Sequence, residues 1–242
     1  RLYRAVEACS DFACSLGINI PTGKDSLSMT QKYGKDKVYS PGTVIISAGA
    51  EVSDIRKVVS PVLRTGIDST VYYIDFSFDK LKLGGSAFAQ SLDKIGKEVP
   101  TVQDSEYFAN AFNAVQELIN KELILAGHDI SAGGMITTML EMNFANTEGG
   151  LEVSLDEIPK KDLVKILFSE NPGILIQVEK TDEVEKILKK AGVAFIRLAR
   201  PCDERHLLIH KDGADYQFFI DHLRDVWFES SYLLDCKQSG EK

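Results

Sequence analysis

Cysteine is scarce in this 242-residue chain: Cys9, Cys14, Cys202 and Cys236 are the only four. None belongs to a CxxC pair, and their spacings fit no zinc template. That excludes a disulfide-stapled scaffold and points to a reduced, cytoplasmic protein. No apolar run approaches the ~20 residues of a membrane-spanning helix. No signal peptide opens the sequence. Positive charge is in deficit, with 28 Lys and Arg against 36 Asp and Glu and a net charge of −8. Such a balance argues against a broad nucleic-acid or acidic-membrane surface. It leaves room for a single phosphate, which backbone amides and a bound cation neutralise locally. There is no internal repeat and no low-complexity stretch. The first residue is Arg1, not Met, inside a helical pattern, so a fragment or excised domain is expected.

What is present is ordinary for a globular chain: 44% hydrophobic and 26% charged residues. The length suits one large domain, or one domain and part of another. Leu2, Ala5, Val6, Cys9, Phe12, Ala13 and Leu16 recur at helical spacing, and Gly17 supplies a stop. Ser26 to Tyr33 reads as a strand, Gly34 to Asp36 as a turn, and Val44 to Ala48 as a buried strand. This first segment has too few elements to close a core. After a boundary at Ser60-Pro61 and Gly66 to Ser69, strands are expected at 71–76, 151–153, 173–178, 193–198 and 206–209. Helices are expected from about Ser86, and over 105–120, 161–168, 182–190 and 221–234. Asp212-Gly213 marks a hairpin. The alternation makes this an α/β or α+β chain.

Two glycine pairs carry most of the chemical information. His128 to Gly134 (HDISAGG) follows the apolar run Leu123 to Ala126 and precedes a helical pattern from Met135 to Phe144. The order reads strand, tight turn, helix. Paired glycines let backbone amides approach a ligand, and the helix turns its positive end towards the turn. Asp129 beside it has the chemistry to hold a cation that a phosphate also needs. Leu83 to Gln90 (LGGSAFAQ) has a similar form. Two such turns suggest a phosphorylated ligand.

Together with Ile20 to Met29 (IPTGKDSLSM), Leu167 to Glu170 (LFSE) and Trp227 to Tyr232 (WFESSY), these motifs resemble, in order, the synthetase region of the phosphoribosylformylglycinamidine synthase family. The resemblance spans most of residues 1–235. It implies an aminoimidazole ribonucleotide synthetase C-terminal-type domain, a mixed sheet with flanking helices, preceded by the tail of a ferredoxin-like domain. The expected boundaries are 1–66 for that tail, 67–235 for the second C-terminal-type domain, and 236–242 for a short end. The family converts formylglycinamide ribonucleotide to formylglycinamidine ribonucleotide with ATP, Mg2+ and glutamine-derived ammonia. An amide oxygen leaves poorly, so phosphorylation activates it, and positioning and electrostatic clamps dominate the catalysis.

By resemblance, Gly84, Gly85 and Ser86 take the substrate 5′-phosphate. Lys24 is expected to pair with a phosphate, and Asp25 or Ser26 with a ribose or metal. Gly133 and Gly134 are expected at a nucleotide and Asp129 at magnesium, in the catalytic or the auxiliary nucleotide site. The family's usual pattern, HDxSDGG, has an acid where this chain has Ala132, which removes one carboxylate from the turn. The resemblance places no catalytic histidine on this chain. The partners it implies are an upstream synthetase half and a downstream glutaminase domain, with a homodimer of the fragment as a further possibility. On its own the fragment is expected to be inactive. The alternatives are a non-catalytic scaffold that binds an auxiliary nucleotide, and another enzyme of the same superfamily.

Each feature also has a plain structural reading. Glycine pairs let a helix pack closely on a strand. His128 suits a structural role, Lys24-Asp25 a surface ion pair, and Glu170 a helix end. Trp227 and Tyr232 suit core anchors. Lys186, Lys189 and Lys190 suit a solvated helix face.

Overall fold

The computed structural model describes residues 2–24, 29–40 and 42–240. The chain forms two compact units, Arg1–Ile55 and Arg56–Lys242. In the first, α1 (Leu2–Ser15) ends at Gly17, whose φ of 68° suits a left-handed helix stop. A hairpin follows, β1 (Thr30–Tyr33) and β2 (Asp36–Tyr39), turned at Gly34. None of these three elements has a buried residue. The expected buried strand at 44–48 is absent, and Ile45 is 86% exposed. Its β-branched run has no buried face to pack on and no strand to pair with among the described residues of this unit.

The second unit is built on a seven-stranded sheet. In chain order its strands are β3 (Thr70–Asp75), β4 (Ala126–Asp129), β5 (Gly150–Ser154), β6 (Gly173–Val178), β7 (Phe195–Cys202), β8 (His206–Lys211) and β9 (Ala214–Phe219). They lie in the order β4-β6-β3-β7-β5-β8-β9. All neighbours are antiparallel except β5 and β8, so the sheet is mixed, as expected. Six helices accompany it: α2 (Ala87–Ser91), α3 (Ser105–Asn120), α4 (Gly134–Phe144), α5 (Leu163–Phe168), α6 (Thr181–Lys190) and α7 (Ile220–Ser239). Among the described residues, no helix is long and apolar enough to cross a membrane.

The central strand explains the layering. Alternation sends Val71 and Tyr73 to one face of β3, and Tyr72 and Ile74 to the other. The first face packs with α4 and α5 through Met135, Met139, Ile166 and Leu167. The second packs with α3 and α6 through Ala114, Leu118, Val184 and Leu188. Both faces of β3 are therefore dry, which is why its sequence is an unbroken apolar run. Residues 56–66 belong to this unit: Leu63 is buried in the first cluster, and Gln177 holds both backbone groups of Arg64.

Two expectations need correction. The apolar run 123–126 precedes a strand more than it forms one. The β4 ladder runs from Ala126↔Gln177 to Asp129↔Ile174, so His128 and Asp129 end a strand and do not lie in a turn. Leu123 and Ile124 pack with the α3 and α6 cluster instead. Trp227 and Tyr232 are not core anchors: they are 55% and 56% exposed. α7 buries only Ile220, with Leu223 partly covered. Trp227 does meet the ring of Phe144 at 5.5 Å.

Candidate functional site

The sheet brings three chain segments to one end. The last residue of β3, Asp75, lies opposite the first of β6, Gly173, and Asp129 at the end of β4 lies opposite Ile174. The loops that leave this end are 76–86, 130–133 and 169–172. They hold Gly84, Gly85 and Gly133, with Gly134 opening α4, and the Ser169-Glu170 end of the Leu167 to Glu170 motif.

Glu170 joins the two pairs. Its Oε1 accepts the amide N–H of Ala87 at 2.7 Å and that of Gly133 at 2.9 Å. Ala87 is the first residue of α2 and follows Gly84, Gly85 and Ser86. Gly133 is the N-cap of α4, in left-handed geometry at φ 91°, and has no side chain to cap with. The carboxylate accepts the N–H of the N-cap residue itself, not that of the second or third helical residue, and places negative charge at the positive end of α4. Beside it, Phe88 stacks on Phe168 with centroids 4.7 Å apart. Asn171, almost fully buried, donates to the Ser77 hydroxyl and the Lys80 carbonyl and accepts from the Lys82 amide. Asp75 closes the same loop by accepting from the amides of Ser77 and Phe78 and from the Ser77 hydroxyl.

The glycine loop itself is tightly satisfied. The Gly84 amide donates to the Glu98 carbonyl, that of Gly85 to Ile95, and that of Ser86 to Leu83. The Ser86 hydroxyl donates to the Leu83 carbonyl and accepts from the Ala89 amide, capping α2. A Cβ on Gly84 would lie 2.3 Å from the Glu98 carbonyl oxygen, so close backbone packing alone requires glycine there. Gly85 differs: it is exposed, has φ +77°, and a Cβ would meet only Val99 at 3.8 Å. Nearby, Lys82 and Asp79 form a 2.6 Å ion pair. Burial pulls the Asp79 carboxyl up, but Lys82 and the amides of Lys80 and Thr101 outweigh it and hold the group below its usual value.

Asp129 stands at the strand end with its side chain 74% exposed. His128 Nδ1 lies 2.8 Å from the Asp129 carbonyl oxygen, and its Nε2 is 3.3 Å from Glu141. Thr138 of α4 also donates to that carbonyl. Asp129 and His128 border an apolar cleft of about 350 Å³ between α3 and β4, with Val115, Ile119 and Ile124 on its wall. The carboxylate and the Gly133-Gly134 pair thus flank one strand end from the two faces of the sheet. Among the described residues, no group of three acids, histidines or cysteines is placed to hold a metal. Lys24 belongs to the other compact unit and is exposed. Asp25 and Ser26 lie outside the described residues.

The sequence reading brought forward the glycines but not the group that connects them. Glu170 read as a helix end because its partners lie 83 and 37 residues away. Asn171 carried no signal. Asp75 with Ser77 was the one local hint, an acid two residues before a hydroxyl at a strand end, which is the pattern of an Asx turn.

Residues 70–207 match the family described as AIR synthase related protein, C-terminal domain, and residues 1–51 match the FGAR-AT PurM_N-like domain. The chain is 37% identical over 242 residues to a probable phosphoribosylformylglycinamidine synthase, chloroplastic/mitochondrial, of Arabidopsis thaliana, covering 98% of this chain and 17% of that protein. It is 33% identical to the Homo sapiens phosphoribosylformylglycinamidine synthase, covering 98% of this chain and 18% of that one. The chain therefore spans less than a fifth of the length of these relatives. Among solved structures, T. maritima PurL complexed with ATP superposes with a TM-score of 0.55 at 15% identity, over 70% of this chain and 28% of that one. T. maritima PurL complexed with FGAR gives 0.55 at 18%, over 70% and 30%. At such identities the structures show the shared fold. The chain belongs to the AIR synthase related family and is, over nearly its whole length, similar to one part of phosphoribosylformylglycinamidine synthases.

Proposed function

We propose that this chain forms part of the synthetase region of a phosphoribosylformylglycinamidine synthase, serving the ATP- and glutamine-dependent conversion of formylglycinamide ribonucleotide to formylglycinamidine ribonucleotide. The observation that carries this reading is the meeting of the Gly84–Ser86 loop and the Gly133-Gly134 turn on Glu170 at one end of the sheet. The fold shared with a PurL solved with ATP and with FGAR supports it.

In this reading the exposed Gly85, between Gly84 and Ser86, receives the 5′-phosphate of the ribonucleotide. Its amide is the one donor of the loop on an exposed residue, and phosphate competes for it with the Ile95 carbonyl. Magnesium commonly takes only one or two protein carboxylates and completes its shell with phosphate oxygens and water. Asp129, a single exposed carboxylate, fits that pattern, with Gly133 and Gly134 lining the nucleotide. Bound nucleotide supplies the phosphoryl group that turns the amide oxygen into a leaving group. The chain's own contribution is to orient the ribonucleotide and to hold both loops still. The upstream synthetase half and the downstream glutaminase domain complete the active enzyme, so the isolated chain has no turnover.

A second reading is a scaffold that binds only an auxiliary nucleotide. One observation favours it: packing alone accounts for Gly84 and Gly134, which have no room for a Cβ. Ligand choice separates the two. Equilibrium binding to the longer parent protein should show Gly85→Asp losing the ribonucleotide while keeping Mg-ADP, and Asp129→Asn the reverse. If Gly85→Asp binds ribonucleotide normally, the scaffold reading stands in its place.

A further inference from the structure

We propose that Glu170 is a positioning residue that locks the two glycine loops to each other, so that a ligand on one changes the affinity of the other. The inference rests on the site reading above.

Both amides converge on a single atom. Oε1 takes the N–H of Ala87 and of Gly133, and among the described residues no group donates to Oε2. The two donors belong to different structural blocks. Ala87 follows the loop proposed to take the ribonucleotide phosphate, and Gly133 opens α4 beside the proposed nucleotide turn. The acceptor sits on a short link between α5 and β6 that has little freedom of its own. Asn171, the next residue, makes three hydrogen bonds to loop 77–82. The Pro172 carbonyl accepts from the Phe76 amide. On the other side, Phe168 is stacked on Phe88, and Gly134 is pressed on the backbone of Leu167 and Phe168. With its backbone held, the carboxylate fixes both loops through one atom, so a ligand that orders one loop also orders the other. Hydrogen bonds to a charged acceptor are strong enough to transmit a preference between loops.

A plain cap on α4 would explain the Gly133 bond but not the Ala87 bond. Coupling explains both, and it differs from simple stabilisation in what it predicts. Ligand at either loop should tighten the other, by the same factor in each direction.

The test uses the longer parent protein and three variants. Glu170→Ala removes the acceptor. Glu170→Gln keeps a carbonyl oxygen that can accept both amides but loses the charge. Gly85→Asp places a carboxylate in the proposed phosphate position, and aspartate tolerates the left-handed backbone better than most residues. The expected result for Glu170→Ala is a rise of about tenfold in both the ribonucleotide KM and the Mg-ADP Kd, with kcat changed less. Saturating Mg-ADP should lower the ribonucleotide Kd, read by equilibrium binding, in the unmodified protein and no longer do so in Glu170→Ala. Glu170→Gln should recover most of both effects. The proposal is overturned if Glu170→Ala lowers only thermal stability, shifts only one ligand, or leaves the effect of Mg-ADP on the ribonucleotide Kd intact. Normal ribonucleotide binding by Gly85→Asp would instead remove the site reading beneath it. Loss of binding there, with intact coupling in Glu170→Ala, would remove the latch alone.

Discussion

Gly134 is pressed against Leu167: a Cβ on Gly134 would lie 2.7 Å from the Leu167 carbonyl oxygen and 2.8 Å from backbone atoms of Phe168. Its φ is +76°, where any other side chain is strained. The first turn of α4 therefore meets the last turn of α5 backbone to backbone, and this contact places Gly133 within reach of Glu170.

Gly134→Ala should accordingly cost about 3 kcal/mol, since the obstructing atoms are backbone and cannot rotate away. Gly192→Ala, also at positive φ but with nothing within 4 Å of its Cβ, should cost only the backbone strain, about 1 kcal/mol. Chemical denaturation of the two variants checks the difference. Equal losses would show that crowding at Gly134 has been overstated.

Glu185 gives a pH prediction with a definite sign. Lys189 and Arg197 both donate to its carboxylate, as does the Tyr72 hydroxyl. Lys189 first and then Arg197 pull the carboxyl down to about 2, from an ordinary value of 4.5. A folded-state value below the unfolded one stabilises the fold above the unfolded pKa, and the gain is lost as pH falls through the folded one. Stability should thus decline between about pH 4.5 and about pH 2, and Glu185→Gln should flatten that part of the profile. The same variant should lower the Tyr72 phenol, now raised to about 12 first by burial and then by Glu185. Burial remains, so the phenol should stop short of its ordinary 10. Denaturation against pH and ultraviolet titration read the two effects.

Gln177 is fully buried and uses its amide to hold the segment before β3: the carboxamide accepts from the Arg64 amide and donates to the Arg64 carbonyl and the Ser69 hydroxyl. Gln177→Leu keeps the volume but strands those groups. We expect a loss of about 2–4 kcal/mol, with hydrogen exchange of residues 62–69 rising ahead of the sheet. Uniform exchange throughout the unit would contradict a local role.

Much of this fold follows from periodicity. Helix 105–120 and strand 173–178 were legible to the residue, because each has an unbroken pattern and clear ends: Asp104 caps the one, and Pro172-Gly173 opens the other. Strand β9 was legible only as the return of the Asp212-Gly213 hairpin: ADYQFF alternates as far as Phe218, but at the edge of the sheet every residue except Phe218 is exposed. The run at 44–48 misled: it has strand composition but no strand to pair with among the described residues of its unit. For the site, local motifs exposed the glycines and Asp129. The link between them was hidden, because Glu170 finds its partners only after β4 and β6 pair and α5 packs under α4. Sequence reading captures residues that shape their own loop; it misses those that act across the sheet.

The most direct test of the account is growth. The full-length parent gene, introduced into a purine auxotroph that lacks the synthase, should restore growth without purine. The same gene carrying Gly85→Asp should fail to do so while still producing soluble protein, because a carboxylate then occupies the proposed phosphate position. Normal growth of that variant would contradict the claim that this loop receives the substrate.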